Sequence, residues 1–404
     1  MKIPFSPPYI DESVINEVVD TLKSGWITTG PKVKALENEI RQFTNSRQVL
    51  CVNSWTSAAI MILKWLGVKK GDEVIVPAYT YSATAIAVFH AGATPIMVDV
   101  NEDFNISMVA ISSAITAKTK AIIPVDFAGW PCNYIEIMNL VNQPEVKSLF
   151  IPSSSTQEKL GRIMIISDAA HSIGAMYSDK YVGYQSDIVI FSLHAVKNIT
   201  TAEGGAICFN MPESFDNQQL YTELRLMSLN CQTKDAYTKS DAGGWRYDIT
   251  GLGMKINMAD LNAAVGLAQI KKYSKLLFDR KHIAEYYSQK LSHFEWAVIP
   301  PLKADSKESS YHLFPLRIKG ISESERDIII KEVSNSGVAL NVHFIPLPML
   351  TLFKGLGYRI EDYPVSYDNY SREISLPIYP QLTIEQINYI LAQLEKAYKN
   401  VVLK

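Results

Sequence analysis

A chain of 404 residues is long enough for two or three domains, or for one large α/β unit with a smaller lobe. Its 39 basic and 41 acidic residues leave a formal charge of −2, and a composition 20% charged and 47% hydrophobic is that of an ordinary soluble enzyme. These values argue against a disordered chain, a nucleic-acid-binding basic face and a fibrous repeat. No apolar run approaches the roughly 18 residues that span a bilayer, and the opening MKIPFSPPYIDES lacks an apolar signal core. A cytoplasmic protein with no membrane or nucleic-acid partner is therefore expected. Cys51, Cys132, Cys208 and Cys231 are scattered without a C-x-x-C pair, so neither a metal site nor a disulfide framework is indicated.

In chain order, a helical-period segment at Val33–Phe43 leads to a strand-like run at Val49–Val52, and a second helical segment, Ser57–Leu66, follows. Further β-branched apolar runs occupy Glu73–Pro77, Thr94–Asp99, Thr119–Val125, Ile163–Ser167, Asp187–Ser192 and Gly205–Phe209. Short apolar runs separated by amphipathic stretches predict parallel strands joined by crossover helices, in a sheet covered on both faces. The most loop-like stretch is Pro152–Gly161, inside what would otherwise be a short crossover.

After about residue 210 a polar segment rich in Gly, Asp and Lys runs to about Gly253. A long helical stretch, Met258–Lys275, continues through Lys281–Leu291. Strand-like His312–Ile318, a helix over Ser322–Ser336, strand-like Val338–Phe344 and a closing helix at Thr383–Lys399 then predict a small α+β lobe. The expected fold is α/β, a mainly parallel central sheet flanked by helices, with a smaller C-terminal α+β domain. The expected boundary places the large domain at 1–250 and the linking helix with the small domain at 251–404.

In open α/β sheets a ligand sits beyond the carboxyl ends of the strands. The residues there are Asn53–Thr56, Pro77–Tyr81, Asp168–His171 and Ser192–Lys197, which are polar, aromatic and ionisable. Read alone, Lys197 is a solvated surface charge. It follows an apolar strand, however, and is flanked by small and apolar residues with no acid for six positions. A desolvated lysine has a depressed pKa and becomes an amine able to form a Schiff base. Asp168, read alone, caps the next helix. Pyridoxal 5'-phosphate requires a carboxylate beside its ring nitrogen, and Asp168 with Lys197 on successive strand ends would meet both needs. Ser54–Ser57 open a helix whose free N–H groups, with the hydroxyls of Thr56 and Ser192, suit a phosphate, although Ser and Thr cap many helices. Tyr81 could cover the ring face or simply pack in the core.

Together these residues resemble the DegT/DnrJ/EryC1/StrS family of sugar aminotransferases, which are fold-type I pyridoxal-phosphate enzymes. The resemblance opens with Gly25–Pro31, continues through Gly71–Pro77, Gly92–Pro95, Ser167–His171 and Ser192–Gly205, and resumes at Asn257–Ala264, Tyr311–Phe314 and Ser375–Pro380. It implies that Lys197 carries the cofactor and serves as general base, and that Asp168 pairs with the ring nitrogen. It further implies that Tyr81 stacks on the ring, that Trp55, Thr56 and Ser192 hold the phosphate, and that Ala170, His171 and His194 line the cofactor. His171 is a positioning residue or a proton-transfer group. Asn257 is expected to reach a neighbouring subunit's cofactor, which implies a homodimer with shared sites. Trp26, Tyr184, His312 and His343 match substrate-lining positions by the same resemblance.

The implied reaction moves an amino group from L-glutamate to a keto-sugar, a nucleotide-linked hexose or pentose destined for lipopolysaccharide or another surface glycan. Two departures stand out. Trp55 occupies a position that is small in many relatives, and Gln143–Gly161 is longer than the usual crossover. Such an extension is associated with enzymes that aminate C8 of an octulosonate related to Kdo, which gives an alternative substrate. A sugar dehydratase on this fold would carry histidine in place of Lys197. A non-catalytic regulator would lack Lys197, Asp168 or the phosphate cup.

Overall fold

The computed structural model describes residues 1–234 and 246–403. β1 (Gln48–Val52), β2 (Glu73–Pro77), β3 (Thr94–Val98), β4 (Thr119–Ile122) and β5 (Met164–Asp168) succeed one another in the chain. A small hairpin of β6 (Met176–Tyr177) and β7 (Lys180–Tyr181) then precedes β8 (Ile188–Ser192) and β9 (Gly205–Phe209). Seven of these strands build the central sheet in the order β1-β9-β8-β5-β4-β2-β3.

Neighbours from β3 to β8 pair in parallel, whereas β9 is antiparallel to both β8 and β1. The parallel direction expected for Gly205–Phe209 is thus corrected. Ser192 lies opposite Gly205, and bonds from Leu193 N to Gly204 O and from Thr201 N to Leu193 O fold the connection straight back along β8. A parallel return needs a crossover over the sheet face, and none forms here.

Successive strand residues divide between two cores, as the two-residue period of a strand requires. Val49, Cys51, Ile75, Ile122, Ile165 and Val189 join a core with the helices at Pro31–Thr44 and Asp260–Ile270. Leu50, Val74, Val76, Ile166, Ile188 and Ile190 face the other core, built with the helices at Trp55–Trp65, Ala83–Ala91 and Asn217–Met227. With both faces covered, the carboxyl edge of the sheet is left for a ligand.

In the C-terminal part, β10 (Ala297–Val298), β13 (Phe314–Ile318) and β14 (Glu373–Leu376) form a three-stranded sheet, and β11 (Lys303–Ala304) with β12 (Lys307–Glu308) extends the β6–β7 hairpin into a ribbon. A third core gathers Phe314, Leu316, Ile374 and Leu376 with the helices at Tyr273–Leu291, Glu323–Asn335 and Ile384–Val402. Ile3 is buried in this core, tied by backbone bonds to Gly337 and Ala339. A small aromatic cluster of Tyr79, Phe104, Phe127, Leu313 and Tyr370 joins the strand-end loops to the C-terminal sheet. Among the described residues no helix is long and apolar enough to cross a membrane.

Four expected elements differ. Pro152–Gly161 contains a helix, Ser155–Leu160, because Ser154 accepts the Gln157 amide and Gly161 takes a left-handed terminal conformation. The polar segment after residue 210 contains the helix Asn217–Met227, capped by Asp216, while 235–245 lie outside the described residues. The long helix expected from Met258 starts at Asp260 and is broken at Lys272, whose φ of −116° and ψ of 7° are non-helical. Val338–Phe344 is no strand and makes only isolated bridges from Val338 to Ile3 and from Asn341 to Ser375. At His343 side chains take over the backbone groups: Glu373 accepts the His343 amide at 2.9 Å and the Tyr79 hydroxyl donates to the His343 carbonyl at 2.7 Å.

Asp260, 1% exposed, illustrates how the helix Pro31–Thr44 is anchored from a distance. Its carboxylate accepts the amides of Gly30 at 2.8 Å, Lys32 at 3.1 Å and Val33 at 3.0 Å, which are otherwise orphaned at the start of the helix. Asp260→Ala leaves these donors unpaired and should lower unfolding free energy by about 2–4 kcal/mol, read by denaturant titration.

Candidate active site

The carboxyl edge of the central sheet opens into a cavity of about 480 Å³. Asp168 ends β5 and Lys197 follows β8, its neighbour in the sheet, so parallel pairing alone brings both to this cavity. The Asp168 carboxylate accepts the Thr84 hydroxyl at 2.9 Å and the Ala170 amide at 3.2 Å. Burial pushes its pKa up to about 7, against those two donors and the Lys197 charge, which pull it down. No helix follows Asp168, so the capping role is absent.

Lys197 is partly accessible through the cavity mouth, yet protein encloses it. Burial brings its pKa down to about 8, and nearby Asp168 opposes that fall. A lysine so tuned is a usable nucleophile and proton carrier near neutral pH.

At one end of the cavity lies the start of the helix Trp55–Trp65. Ser54 caps it by accepting the Ser57 amide, and the Trp55 and Thr56 amides have no acceptor within the helix. β9 approaches this turn closely because residue 205 is glycine: a Cβ there would lie 2.7 Å from the Ser54 carbonyl carbon and 2.8 Å from the Trp55 nitrogen. Trp55 is buried and its Nε1 has no hydrogen-bond partner. Thr56 and Ser192 also line this end. Helix amides and two hydroxyls form a donor set matched to a phosphate dianion.

Three imidazoles enclose the far side. His171 Nδ1 accepts the Ala128 amide at 3.2 Å, which leaves its proton on Nε2. Its ring packs 4.5 Å from that of His312 and 5.9 Å from that of Phe344. Asn198 donates to Ser310 O at 2.8 Å, so its Oδ1 accepts from His312 Nδ1, 2.9 Å away. Burial, followed by neighbouring positive charge, holds His171 and His312 well below the usual histidine range and brings His343 down to about 3. All three rings are therefore neutral at physiological pH.

Tyr81, Ala170 and His194 also reach the cavity. Tyr81 stands at the mouth, 62% exposed, with its ring 5.7 Å from that of Phe344. His194 is exposed and lies 3.6 Å from Glu203. Three expected site residues lie elsewhere in this chain. Asn257 bridges to Val52 and donates to Thr29 at 2.6 Å; Trp26 donates to Thr29 O at 3.1 Å; Tyr184 donates to Tyr177 O at 2.7 Å. Thr84, Asn341 and Phe344 are site components that strand-end reading missed. Thr84 belongs to a helix beyond the strand-end residues, and the others belong to the C-terminal part, where no local pattern points to the cavity.

The residues fit pyridoxal phosphate: a phosphate-type donor set, a buried carboxylate for the ring nitrogen and a deprotonable amine occur in one cavity of adequate size. Among the described residues no cluster of His, Cys, Asp or Glu is suited to a metal ion.

Residues 8–150 and 155–395 match the DegT/DnrJ/EryC1/StrS aminotransferase family. Spr1654 of Streptococcus pneumoniae, a provisionally named sugar aminotransferase solved in a PMP form, is 42% identical, covers 99% of this chain and 100% of its own, and superposes with a TM-score of 0.95. Its PLP form is 41% identical with a TM-score of 0.94. The spore coat polysaccharide biosynthesis protein SpsC of Bacillus subtilis is 33% identical over 96% of this chain and 95% of its own length. PseC of Helicobacter pylori, an aminotransferase of pseudoaminic acid biosynthesis, is 25% identical across 99% of this chain and 100% of its own, with a TM-score of 0.86.

Two outcomes follow from the site. Because Lys197 loses its proton near pH 8, uptake of pyridoxal phosphate by the cofactor-free protein should quicken as pH rises toward that value and level off above it, as followed by absorbance. Thr84→Val removes a donor from Asp168 and should weaken cofactor retention by about 5–10-fold in a fluorescence titration.

Proposed function

The chain belongs to the DegT/DnrJ/EryC1/StrS aminotransferase family, and from that premise we propose that it transfers an amino group from L-glutamate to a nucleotide-linked keto-sugar in surface-glycan synthesis. It is a pyridoxal-phosphate-dependent transaminase. The observation that carries the reading is the placement of Asp168 and Lys197 in one cavity, at the ends of two adjacent strands. SpsC and PseC, named for a coat polysaccharide and for pseudoaminic acid, support the choice of a glycan sugar.

In this reading the amides of Trp55 and Thr56, with the hydroxyls of Thr56 and Ser192, hold the phosphate. Asp168 holds the ring nitrogen, and Tyr81 covers the ring. The cofactor, when bound, supplies an electron sink for the carbon that loses its proton. Lys197 tethers the cofactor and carries that proton on Nζ, a task suited to an amine of pKa about 8. Thr84 and the Ala170 amide keep the Asp168 carboxylate aimed into the cavity. Neutral His171 can only donate from Nε2, so it orients and does not compete as a base.

We further assign a large cofactor-binding domain to 1–250 and a small domain, with its linking helix, to 251–404, working as a cytoplasmic homodimer. Support for the dimer comes from Asn257, which lies outside its own chain's cavity, beside Thr29 and Lys255. In the pair it serves the neighbour's cofactor, and Trp26 and Tyr184 belong to the same shared sites.

The test is amino transfer from L-glutamate to UDP-, dTDP- and GDP-linked keto-sugars and to an 8-oxo-octulosonate. Amination of one nucleotide-linked sugar is expected, with Lys197→Ala losing activity by about 10⁴-fold and losing the bound-cofactor absorbance. Transfer to the octulosonate alone would move the substrate to that class. Transfer only to simple keto acids would reject the sugar reading.

A further inference from the structure

One buried acid beside the site has no part in the chemistry above. Glu373, the first residue of β14, is 0% exposed. One of its oxygens lies 2.5 Å from the Ser375 hydroxyl oxygen, accepting its proton when Glu373 is a carboxylate, and the other accepts the His343 amide at 2.9 Å. Ser375 Oγ lies 2.8 Å from His343 Nδ1, and His343 lines the cavity that holds Lys197. A continuous hydrogen-bonded line thus runs from a buried carboxyl, through a hydroxyl, to an imidazole at the reaction cavity.

We propose that Glu373, Ser375 and His343 form a proton relay to the keto oxygen of the sugar substrate, an inference that rests on the amino-transfer reading above. When the keto carbon takes up nitrogen, its bond to oxygen breaks and the oxygen leaves as water. One of the water's two protons comes from the attacking amine and the other from the relay, while the nitrogen keeps one proton and a positive charge that balances the carboxylate formed. The His343 Nε2–H bond breaks as an O–H bond forms on that oxygen. Nδ1 takes the proton of Ser375, whose Oγ takes the proton of the Glu373 carboxyl, and Glu373 ends as carboxylate. No electrons are exchanged with an outside group. In the half-reaction with L-glutamate, water adds to carbon and gives up protons; the line runs in reverse and Glu373 is recharged. A full turnover leaves the relay unchanged.

The surroundings suit this task. The titratable and charged groups around Glu373 are Arg326, Tyr79, His343 and, directly opposite it on β13, Arg317. Burial raises the Glu373 pKa to about 8, against Ser375, the His343 amide and Arg326. Glu373 therefore carries a proton at neutral pH and loses it as pH rises through about 8. His343, neutral through burial and the Lys197 charge, passes the proton by exchanging tautomers and gains no charge itself. Asn341 commits its oxygen to the Val342 amide and offers Nδ2, 3.4 Å from His343 Nε2, to the tautomer that has given up its Nε2 proton. His343 is the catalytic group here, and Ser375 and Glu373 act through it.

The decisive measurement is nitrogen-15 histidine NMR on the cofactor-free protein, with the His343 signals identified by loss in His343→Asn. The Nε2–H tautomer should dominate at pH 6.5 and give way to Nδ1–H as pH passes about 8, and Ser375→Ala should abolish the change. A tautomer that is the same at pH 6.5 and 9.5, or a change that survives Ser375→Ala, overturns the relay. In the loaded enzyme, Glu373→Gln keeps an amide in place of the acid and should lower kcat by about 10–100-fold with KM changed less than about 3-fold. Unchanged kcat in that variant also overturns the relay. If no keto-sugar is aminated by the wild type, the functional reading fails, and the NMR result alone decides the proton line.

Discussion

A carboxylate and an amine buried together at the ends of neighbouring strands set the conditions for the rest of this molecule. Removing each charge from water costs several kcal/mol, and their mutual attraction offsets only part of that cost. The result is visible in both groups: Asp168 rises to about 7 and Lys197 falls to about 8, so each sits near the point where it gives or takes a proton. Such a pair is poorly suited to holding a fold together and well suited to receiving a ligand with a protonated ring nitrogen and a carbonyl carbon.

Everything around the pair serves to hold it in place. Alternate residues of β5 and β8 are locked into two separate cores, Ile165 and Val189 on one side and Ile166, Ile188 and Ile190 on the other. Neither strand can slip by one residue without turning a whole face inside out. The antiparallel β9 brings Gly205 to the same edge, where the absence of a side chain lets the helix start at Ser54 and Trp55 lie close against it. The aromatic cluster around Tyr79 and Phe127 then seats the C-terminal part against the loops. It is this contact that delivers His312, His343 and Phe344 to the cavity.

Much of the site was legible locally. Asp168 and Lys197 each follow an apolar run, and the rule that ligands gather at the carboxyl ends of parallel strands singles them out before any coordinates are known. Ser54 is a plain N-cap signal, and the helix begins where it indicates. The direction of β9 was not legible, because an apolar run of five residues reads alike in either orientation. Nor was the irregular course of Val338–Phe344, whose β-branched start suggested a strand. Its backbone at His343 is held by the side chains of Glu373 and Tyr79, distant in sequence, and no local pattern announces them.

The amino-acid sequence by itself determined the alternation of strands and helices, the buried faces, and the acid and amine that follow neighbouring strands, because each depends on periodicity and short-range burial. Tertiary structure alone decided which imidazoles face Lys197, which donors steady Asp168 and which protons each ring bears. Those properties arise where segments distant in sequence meet in a space with little water: Thr84 lies 84 residues from Asp168, and His312 and His343 lie farther still from both. There, electrostatic strength and hydrogen-bond direction depend on three-dimensional proximity, which one-dimensional order does not encode.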